Sequence, residues 1–313
     1  MDSQKEKMLA DCTLAATALA ADGDGPRSRG ERIRQHGHRA LNNPFGYIRY
    51  FLARMGVLGS ADTTITTFWG ERMTVPLSDG DATGPFFFGI LAGPEYKLIR
   101  YLIRELPSDA VFYDVGANHG FYTLLARQLA PAGEVHAFEP LPNTFSYLSR
   151  NAKSGEHVFL NDVAVAESAG EATMFDMTSA GHSGGSTIEN AVGERMTQAT
   201  RSLVKTITID EYAKNHTPPT IMKLDVEGGE YRVLEGARKT IERYSPIIAM
   251  EVWGGTKGEE FSIGALEKLV ELGYSGYHIS EDGTLSEGKS PLDFLGLPQA
   301  DNIIFKAGLG QKE

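Results

Sequence analysis

The chain has 313 residues, of which 41% are hydrophobic and 23% are charged, values that are ordinary for a globular protein. Its formal net charge of −11 argues against nucleic acid as a partner, because an acidic surface repels phosphate backbones. Cys12 is the single cysteine, which excludes an intrachain disulfide and a cysteine-based zinc site and fits a reducing, cytoplasmic compartment. No apolar run approaches the roughly 20 residues of a membrane span, so no membrane partner is expected.

Residues 1–60 are predicted to form a helical, loosely packed N-terminal extension, and residues 61–313 to form the main domain, with a core at 93–306. Within the extension, apolar side chains recur near helical spacing from Pro44 to Met55. Three roles fit this extension: a cover for a pocket, a docking surface for a carrier protein, or a homodimer contact. Its pattern does not separate them.

Residues 63–91 are predicted to form a small β element. Met73–Leu77 is its strand, Ser78–Asp81 a turn, and Phe86–Phe88 an aromatic strand end. A helix is predicted to begin near Pro94, since proline is favoured in a first helical turn.

From Ala110 onward, short apolar runs alternate with segments of helical periodicity. The predicted strands are Val111–Val115, Glu134–Phe138, Val158–Val165, Thr220–Leu224, Ile247–Val252, Tyr274–Ile279 and an antiparallel Asn302–Phe305, with added β-structure at Ala172–Phe175 and Leu203–Ile209. The predicted helices are Phe121–Leu129, Asn143–Ala152, Gly229–Tyr244 and Ile263–Leu272. This alternation predicts an α/β fold with a mostly parallel sheet covered by helices on both faces.

A glycine-rich turn follows the first strand of this sheet. Asp114, Gly116, Asn118 and Gly120 lie at a spacing of two, where glycines let the chain turn sharply and let a ligand approach the backbone. Glu139 ends the neighbouring strand, and an acid there can accept hydrogen bonds from both ribose hydroxyls. The pair predicts a site for a nucleoside-containing cofactor.

Two other interpretations of this turn remain open. A dinucleotide site requires G-x-G-x-x-G, and Asn118 takes the place of the second glycine, where its side chain would crowd a pyrophosphate. A nicotinamide oxidoreductase is therefore disfavoured. A strand–turn–helix with a structural role only, in a protein that binds without catalysis, is the other alternative.

The segment VFYDVGANHGFYT, which begins at Val111, resembles the first motif of the FkbM family of methyltransferases. Four further segments agree in order, so that the resemblance runs from about Gly93 to Phe305. These segments are HAFEP from His136, LNDVAV from Leu160, MKLDVEGGE from Met222 and DNIIF from Asp301. The resemblance implies the class I methyltransferase sheet, S-adenosylmethionine as cofactor, and O-methylation of a hydroxyl on a sugar or natural product.

The resemblance also implies roles for individual residues. Asp114, Gly116, Asn118 and Gly120 should contact the methionine part of the cofactor, and Glu139 its ribose. Asp162 and Val163 should flank adenine, Asp225 should face the methionine end or the substrate, and Glu95 should reach the cofactor amine or serve the helix dipole. His119 departs from the small or aliphatic residue expected at its position.

Carboxylates concentrate beyond the fourth and fifth strands, at the expected mouth of the pocket. Asp225 and Glu227 are candidates for the base that takes a proton from the acceptor or for a substrate anchor, with helix capping as the alternative role for Glu227. Glu251 is a candidate substrate ligand or a partner of a backbone loop. Together these three have the oxygen donors of a magnesium site, which the family pattern does not require. Lys223 is expected to neutralise a neighbouring carboxylate.

The insertion from Ser179 to Ser186 is rich in glycine, and it is predicted either to close over the pocket, with His182 as a base, or to form a plain surface loop. The sequence therefore predicts a methyltransferase of natural-product or sugar hydroxyls. N-methylation and a carrier-bound or peptide acceptor remain alternatives.

Overall fold

The computed structural model describes residues 3–22, 39, 43–59, 61–91, 93, 95–153, 157–188, 197–255 and 259–308. In chain order the elements are α1 (Ser3–Asp22), α2 (Pro44–Arg54), β1 (Asp62–Thr66), β2 (Arg72–Pro76), α3 (Thr83–Phe88), α4 (Glu95–Glu105), β3 (Val111–Val115), α5 (Phe121–Leu129), β4 (Glu134–Phe138), α6 (Pro142–Ala152), β5 (Val158–Asn161), β6 (Ala164–Val165), β7 (Gly170–Asp176), β8 (Thr200–Ile207), α7 (Ile209–Tyr212), β9 (Ile221–Leu224), α8 (Glu230–Gly236), α9 (Arg238–Tyr244), β10 (Ile247–Val252), α10 (Glu259–Glu271), β11 (Tyr274–His278) and β12 (Asp301–Ala307). Short 3-10 turns lie at Gly80–Ala82, Thr178–Ala180, Ser183–Gly185 and Pro291–Phe294.

A seven-stranded sheet in the order β11-β12-β10-β9-β3-β4-β5 organises the protein. Strand β3 pairs in parallel with both β4 and β9, whereas β12 is antiparallel to its neighbours β10 and β11. This confirms the predicted α/β fold with a mostly parallel sheet, including the antiparallel last strand. Because Val115 is in register with both Phe138 and Leu224, the residues that follow these three strands meet at one edge of the sheet.

Apolar side chains fill both faces of this sheet. In β3 every residue is buried, and successive side chains enter different clusters, as strand geometry requires. Phe112 belongs to the cluster beneath α4 and α5, and Tyr113 to the cluster beneath α8 and α10. A strand buried on both sides gives the continuous apolar run seen in the sequence.

The aromatic run Phe86–Phe88 is helical and not the strand end that its composition predicts. It forms the end of α3, which Gly89 closes in the left-handed conformation at a φ of 68°. The rings of Phe86 and Phe87 pack against Tyr50, with centroid distances of 6.3 and 5.3 Å. This packing against α2 overrides the strand preference of phenylalanine.

Two other predicted elements are divided. The third strand stops at Asn161, and Ala164–Val165 pair instead with β8 in a separate three-stranded sheet. The predicted helix Gly229–Tyr244 is interrupted at Ala237, where φ is −108° and ψ is 2°. A β-carbon on Gly236 would lie 2.0 Å from the carbonyl oxygen of Ala166, so the chain passes too close to β6 at this point for a larger residue.

Helix α1 is packed into the main core, which differs from the loose packing predicted for the extension. Its residues Met8, Cys12, Ala16 and Leu19 are at most 8% exposed and join the cluster that contains the buried face of α4. Their spacing of four and three places them on one side of the helix. Over the residues that the structure describes, no helix is both long and apolar enough to cross a bilayer.

Candidate active site

The loop after β3 adopts the sharp turn that its glycines predict. Gly116, Asn118 and Gly120 all have positive φ angles, of 84°, 49° and 92°. A β-carbon at Gly116 would lie only 1.9 Å from the carbonyl oxygen of Asp225. Glycine is therefore required at this position, because the loop and the end of β9 approach each other too closely for any side chain.

Glu139 is held in place by the backbone around it. One carboxylate oxygen accepts the N–H of Asn118 at 3.1 Å, and the other accepts the N–H of Leu141 at 3.0 Å. The side chain is buried at the wall of a cavity, and this burial raises its pKa to about 7. A carboxylate oxygen can accept more than one hydrogen bond, so both oxygens retain the capacity to bind ribose hydroxyls.

A first cavity of about 600 Å³ opens beside Glu139. Its wall away from Glu139 is mostly apolar and comes from β4, the segment after β5, and β7; it includes Phe138, Pro140, Val163, Val165, Met174 and Ile188. Such a wall suits a planar adenine ring. Val163 lines this cavity, whereas Asp162 is exposed and lies outside the cavity lining.

Asp114 lies beneath the loop and does not line the cavity. It is fully buried, and its Oδ2 accepts the hydroxyl of Thr123 at 2.6 Å. Its Oδ1 has no hydrogen-bond partner among the described residues, and burial raises its pKa. Asp114 thus lies under the loop rather than in the cavity. Gly120 also lies outside the lining, and it immediately precedes α5.

Lys223 neutralises carboxylates, as predicted. Its ammonium lies 2.7 Å from Asp225 and 4.7 Å from the centre of the Tyr122 ring, and its side chain is 3% exposed. Burial alone would lower the pKa of Lys223, but Asp225, Asp114 and Glu95 together raise it above the ordinary value. One cation therefore faces three acids.

A second cavity of about 930 Å³ adjoins the first. Its charged lining consists of Asp81, Glu95, Lys223 and Asp225, and His119 also lines it, with a pKa lowered by burial. Glu95 accepts hydrogen bonds from Tyr122 and, at 2.9 Å, from Asn302. Four residues line both cavities and therefore mark their junction: Gly116, Asn118, Gly184 and Asp225.

The glycine-rich insertion lies against this junction. Its Ser183 hydroxyl donates to Asn118 at 3.0 Å, the Ser183 N–H donates to Asp79, and the Gly184 N–H donates to Asp81 at 2.6 Å. Side chains from the segment after β2 thus hold the insertion against the loop that follows β3. His182 is exposed, close to Gly80, and outside the lining of both cavities.

The three carboxylates predicted beyond β9 and β10 do come together. Oxygen atoms of Asp225, Glu227 and Glu251 lie within 4.8 Å of one another, and all three residues are half-buried. Burial and the neighbouring acids raise the pKa of Glu227 well above its ordinary value and that of Glu251 to about 8. Only Asp225 of the three lines the second cavity.

Glu230, the first residue of α8, holds the loop that precedes the helix. Its carboxylate accepts the N–H groups of Val226 and Gly228 at 3.2 and 3.3 Å. No side chain caps this helix among the described residues, so the capping alternative for Glu227 is wrong. Glu227 itself has a positive φ of 54° and belongs to the carboxylate cluster with Asp225 and Glu251.

Sequence reasoning did not find Asp79, Asp81 or Ser183. Asp81 falls in a predicted turn, and burial together with Asp79 raises its pKa to about 6. Asp79 and Asp81 are more than 100 residues away from their partners in the insertion. The D-G-D spacing marks a turn but carries no signal for a contact at that distance.

Replacing Glu139 by glutamine is expected to raise the dissociation constant of the cofactor at least about tenfold, since charge-assisted hydrogen bonds contribute about 1.5–3 kcal/mol each. The ionised form is the better acceptor, and its pKa is about 7. Wild-type affinity should therefore weaken as the pH falls from 8 to 6, and Glu139→Gln should lose that dependence. Titration calorimetry at both pH values checks this, with Glu171→Gln on exposed β7 as control. Unchanged affinity would remove Glu139 from the ribose site.

Comparisons with known proteins show which family and which proteins this chain is similar to. The family described as the Methyltransferase FkbM domain matches residues 114–275. Hexuronic acid methyltransferase AglP of Haloferax volcanii is 29% identical over 164 residues, which cover 51% of this chain and 63% of AglP. The 31-O-demethyl-FK506 methyltransferase FkbM of Streptomyces tacrolimicus is 46% identical over 54 residues, 17% of this chain and 20% of that protein.

Among solved structures, Methyltransferase FkbM from Methylobacillus flagellatus matches with a TM-score of 0.42 and 14% identity, over 73% of this chain and 55% of that one. The chain thus spans less than two thirds of the length of these relatives.

Proposed function

The chain belongs to the FkbM methyltransferase family, and from that premise we propose that it is an S-adenosylmethionine-dependent O-methyltransferase of a hydroxylated sugar or natural product. The observation that carries the proposal is the junction of the two cavities. Asp225 lines both the cavity that has Glu139 on its wall and the second cavity beside it.

The charges around Lys223 fit a cationic cofactor. Lys223 brings one positive charge to the carboxyl groups of Asp114, Glu95 and Asp225; burial raises the pKa of Asp114 and Glu95, so the cluster gains a negative excess only as these two groups ionise. S-adenosylmethionine supplies an electrophilic methyl group on a positively charged sulfonium. A negative excess next to Gly116 and Asn118 would stabilise that charge and would favour this cofactor over its neutral-sulfur product.

The same charges favour an acceptor that is not an anion. Asp81, Glu95 and Asp225 line the second cavity, and among the described residues of that lining Lys223, which is already engaged by carboxylates, is the only lysine or arginine. AglP carries the name of a hexuronic acid methyltransferase, and a uronate would meet repulsion in this cavity. We therefore propose a neutral hydroxyl compound as the acceptor.

The role proposed for Asp225 is to orient the acceptor hydroxyl and take its proton. The Asp225 side chain lines the cavity and is 34% exposed, and its carboxylate forms an ion pair with the ammonium of Lys223. Oxygen atoms of Glu227 and Glu251 lie within 4.8 Å of those of Asp225, and their raised pKa values keep them largely protonated near neutral pH, so we propose that they receive the proton from Asp225 only in their ionised form, at higher pH.

The test is a transfer assay with labelled S-adenosylmethionine and matched acceptors. A methyl glucoside and the corresponding glucuronate differ in one group, a primary hydroxyl against a carboxylate, and the corresponding amino sugar replaces one hydroxyl by an amine. The proposal predicts a methyl ether on the glucoside and a kcat/KM for it at least about tenfold above that for the glucuronate, since an unfavourable charge contact of about 1.4 kcal/mol gives this factor. Preference for the glucuronate contradicts the neutral acceptor, and methylation of the amino group alone indicates an N-methyltransferase.

Removing divalent metal ions is expected to leave this activity unchanged. Asp225, Glu227 and Glu251 provide the oxygen donors that magnesium prefers, but the proposed proton transfer does not need an ion. Turnover is measured before and after treatment with a chelator, with magnesium added back as the control. The three carboxylates would instead be a metal site if the chelator abolished turnover, added magnesium restored it, and Glu251→Gln prevented that restoration.

A further inference from the structure

The glycine-rich insertion, Ser179–Ser186, forms part of the wall of the first cavity. Ser183, Gly184 and Ser186 line that cavity, and Gly184 also lines the second one. A cofactor bound beside Glu139 would therefore be covered in part by a segment that lies outside the seven-stranded sheet. The contacts of this segment decide whether it is a fixed wall or one that opens.

The two ends of the insertion are fastened side by side. Phe175 and Thr187, which flank it, exchange two backbone hydrogen bonds of 2.8 and 3.1 Å. The Ser186 hydroxyl also accepts the N–H of Met177 at 2.9 Å. A loop whose ends are joined in this way is a compact unit, and its tip, Gly181–Gly184, can move while its base stays in place.

Two aspartates from the segment after β2 hold the tip. The N–H of Gly184 donates to Oδ2 of Asp81 at 2.6 Å, and the N–H of Ser183 lies 3.2 Å from Oδ2 of Asp79. A β-carbon on Gly184 would lie 3.0 Å from the same Asp81 oxygen, so this close approach favours glycine. Asp81 therefore makes the shorter of the two contacts.

The tip adds no apolar side chain to the hydrophobic clusters. Its residues are two glycines, a histidine and a serine, and none of them belongs to a cluster of the described core. Release of the tip would therefore break hydrogen bonds but expose little apolar surface. Segments held in this way lie at the low-stability end of a fold and open most readily.

A wall that opens suits the reaction. Methyl transfer converts S-adenosylmethionine into S-adenosylhomocysteine, so the cofactor has to be exchanged in every cycle. Lids that close over bound ligands and open for exchange are common in enzymes, and their opening can set the rate of turnover. The contact that holds the tip is also accessible from the second cavity, because Asp81 lines it.

We propose that Ser179–Ser186 is a lid over the cofactor and that Asp81, through Gly184, is the positioning residue that holds this lid closed. The proposal rests on the assignment of the first cavity to S-adenosylmethionine, which belongs to the proposed function. It gives Asp81 a role that does not depend on the identity of the acceptor. An open lid would both admit and release the cofactor faster than a closed one.

The experiment is a rapid-mixing measurement of S-adenosylhomocysteine binding to the full chain without acceptor. Asp81→Asn weakens the hydrogen bond from one side, and Gly184→Ala disturbs it from the other without a change of charge. Both variants should raise the association and dissociation rate constants at least about tenfold, because a hydrogen bond to an ionised acceptor is one of the stronger kinds. The dissociation constant should change less than either rate constant. Asp109→Asn, at an exposed residue, is the matched control.

The pH dependence distinguishes this role from a merely structural one. Burial, followed by the charge of Asp79, raises the pKa of Asp81 to about 6, and His182 of the insertion and Glu227 also lie within reach of its charge. The ionised carboxylate is the stronger acceptor, so in wild type both rate constants should rise as the pH falls from 7 to 5. This rise should be absent in Asp81→Asn. Protonation of Glu139, whose pKa is about 7, should speed dissociation alone and should persist in the variant.

Hydrogen exchange provides a readout without ligand. The amides of Ser183 and Gly184 should exchange faster in Asp81→Asn than in wild type, whereas that of Thr187, at the base, should not change. Binding with unchanged rate constants in both variants would overturn the lid and leave the cofactor site intact. Slower association with faster dissociation would show that Asp81 only shapes the site, which also overturns the lid. Failure of wild type to bind would overturn the cofactor site and the lid together.

Discussion

Lys223→Met should lower the free energy of unfolding by about 3–5 kcal/mol at pH 8, because removal of one partner leaves buried charges without compensation. Asp114 is fully buried and Lys223 is 3% exposed, so water cannot replace the lost contact. Asp114 and Glu95 already have raised pKa values, owing first to burial, and Lys223 is the largest influence that lowers the pKa of both.

The pH dependence of this loss follows from the sign of those shifts. A carboxyl whose folded-state pKa is raised stabilises the fold less as the pH rises from the unfolded pKa towards the folded one. Without Lys223 the raised values should rise further, so the deficit should be larger at pH 8 than at pH 5. Urea unfolding at the two pH values measures it, with Lys205→Met on exposed β8 as control. Equal and small deficits at both pH values would show that Lys223 does not compensate these acids.

Asp225→Asn should reduce kcat at least about 100-fold, the lower end of what a positioned general base contributes. Asparagine keeps the size of the side chain and an oxygen that can accept from Lys223, which now lies 2.7 Å away. Folding should therefore change little, cofactor affinity should fall modestly with the lost negative charge, and the largest effect should fall on turnover. The change removes the acceptor for the hydroxyl proton at the junction of the cavities.

Steady-state kinetics with a neutral acceptor tests this, with Asp109→Asn in an exposed loop as the matched control. Glu227→Gln and Glu251→Gln separate the members of the cluster: loss of the turnover gained at alkaline pH assigns the replaced residue to relaying the proton. Full turnover of Asp225→Asn would exclude this residue from the chemistry.

The parts of the site that could be predicted are those encoded by neighbouring residues. Gly116, Asn118 and Gly120 give the turn after β3, and the apolar runs give the parallel strands whose register brings Glu139 and Asp225 beside it. The neutralising role of Lys223 could also be predicted, because a lysine within a buried strand needs an acid nearby.

The parts that could not be predicted depend on contacts between distant segments. Phe86–Phe88 has the composition of a strand, but its contact with Tyr50 of α2 makes it a helix that lines the second cavity through Gly84 and Pro85. Asp81 accepts a hydrogen bond from the N–H of Gly184, which lies 103 residues away along the chain. Asp162 follows the strand pattern of β5, yet the chain leaves the sheet after Asn161 and turns Asp162 to solvent.

The measurement that tests the central claim most directly is calorimetric titration of the purified protein with S-adenosylmethionine, S-adenosylhomocysteine and NAD in parallel. The site described here predicts dissociation constants on the order of micromolar for the first two, about −8 kcal/mol, and no binding of NAD, whose pyrophosphate would meet Asn118. Binding of NAD alone would contradict the assignment, and binding of none of the three would show that the loop and Glu139 do not form a cofactor site in the free protein.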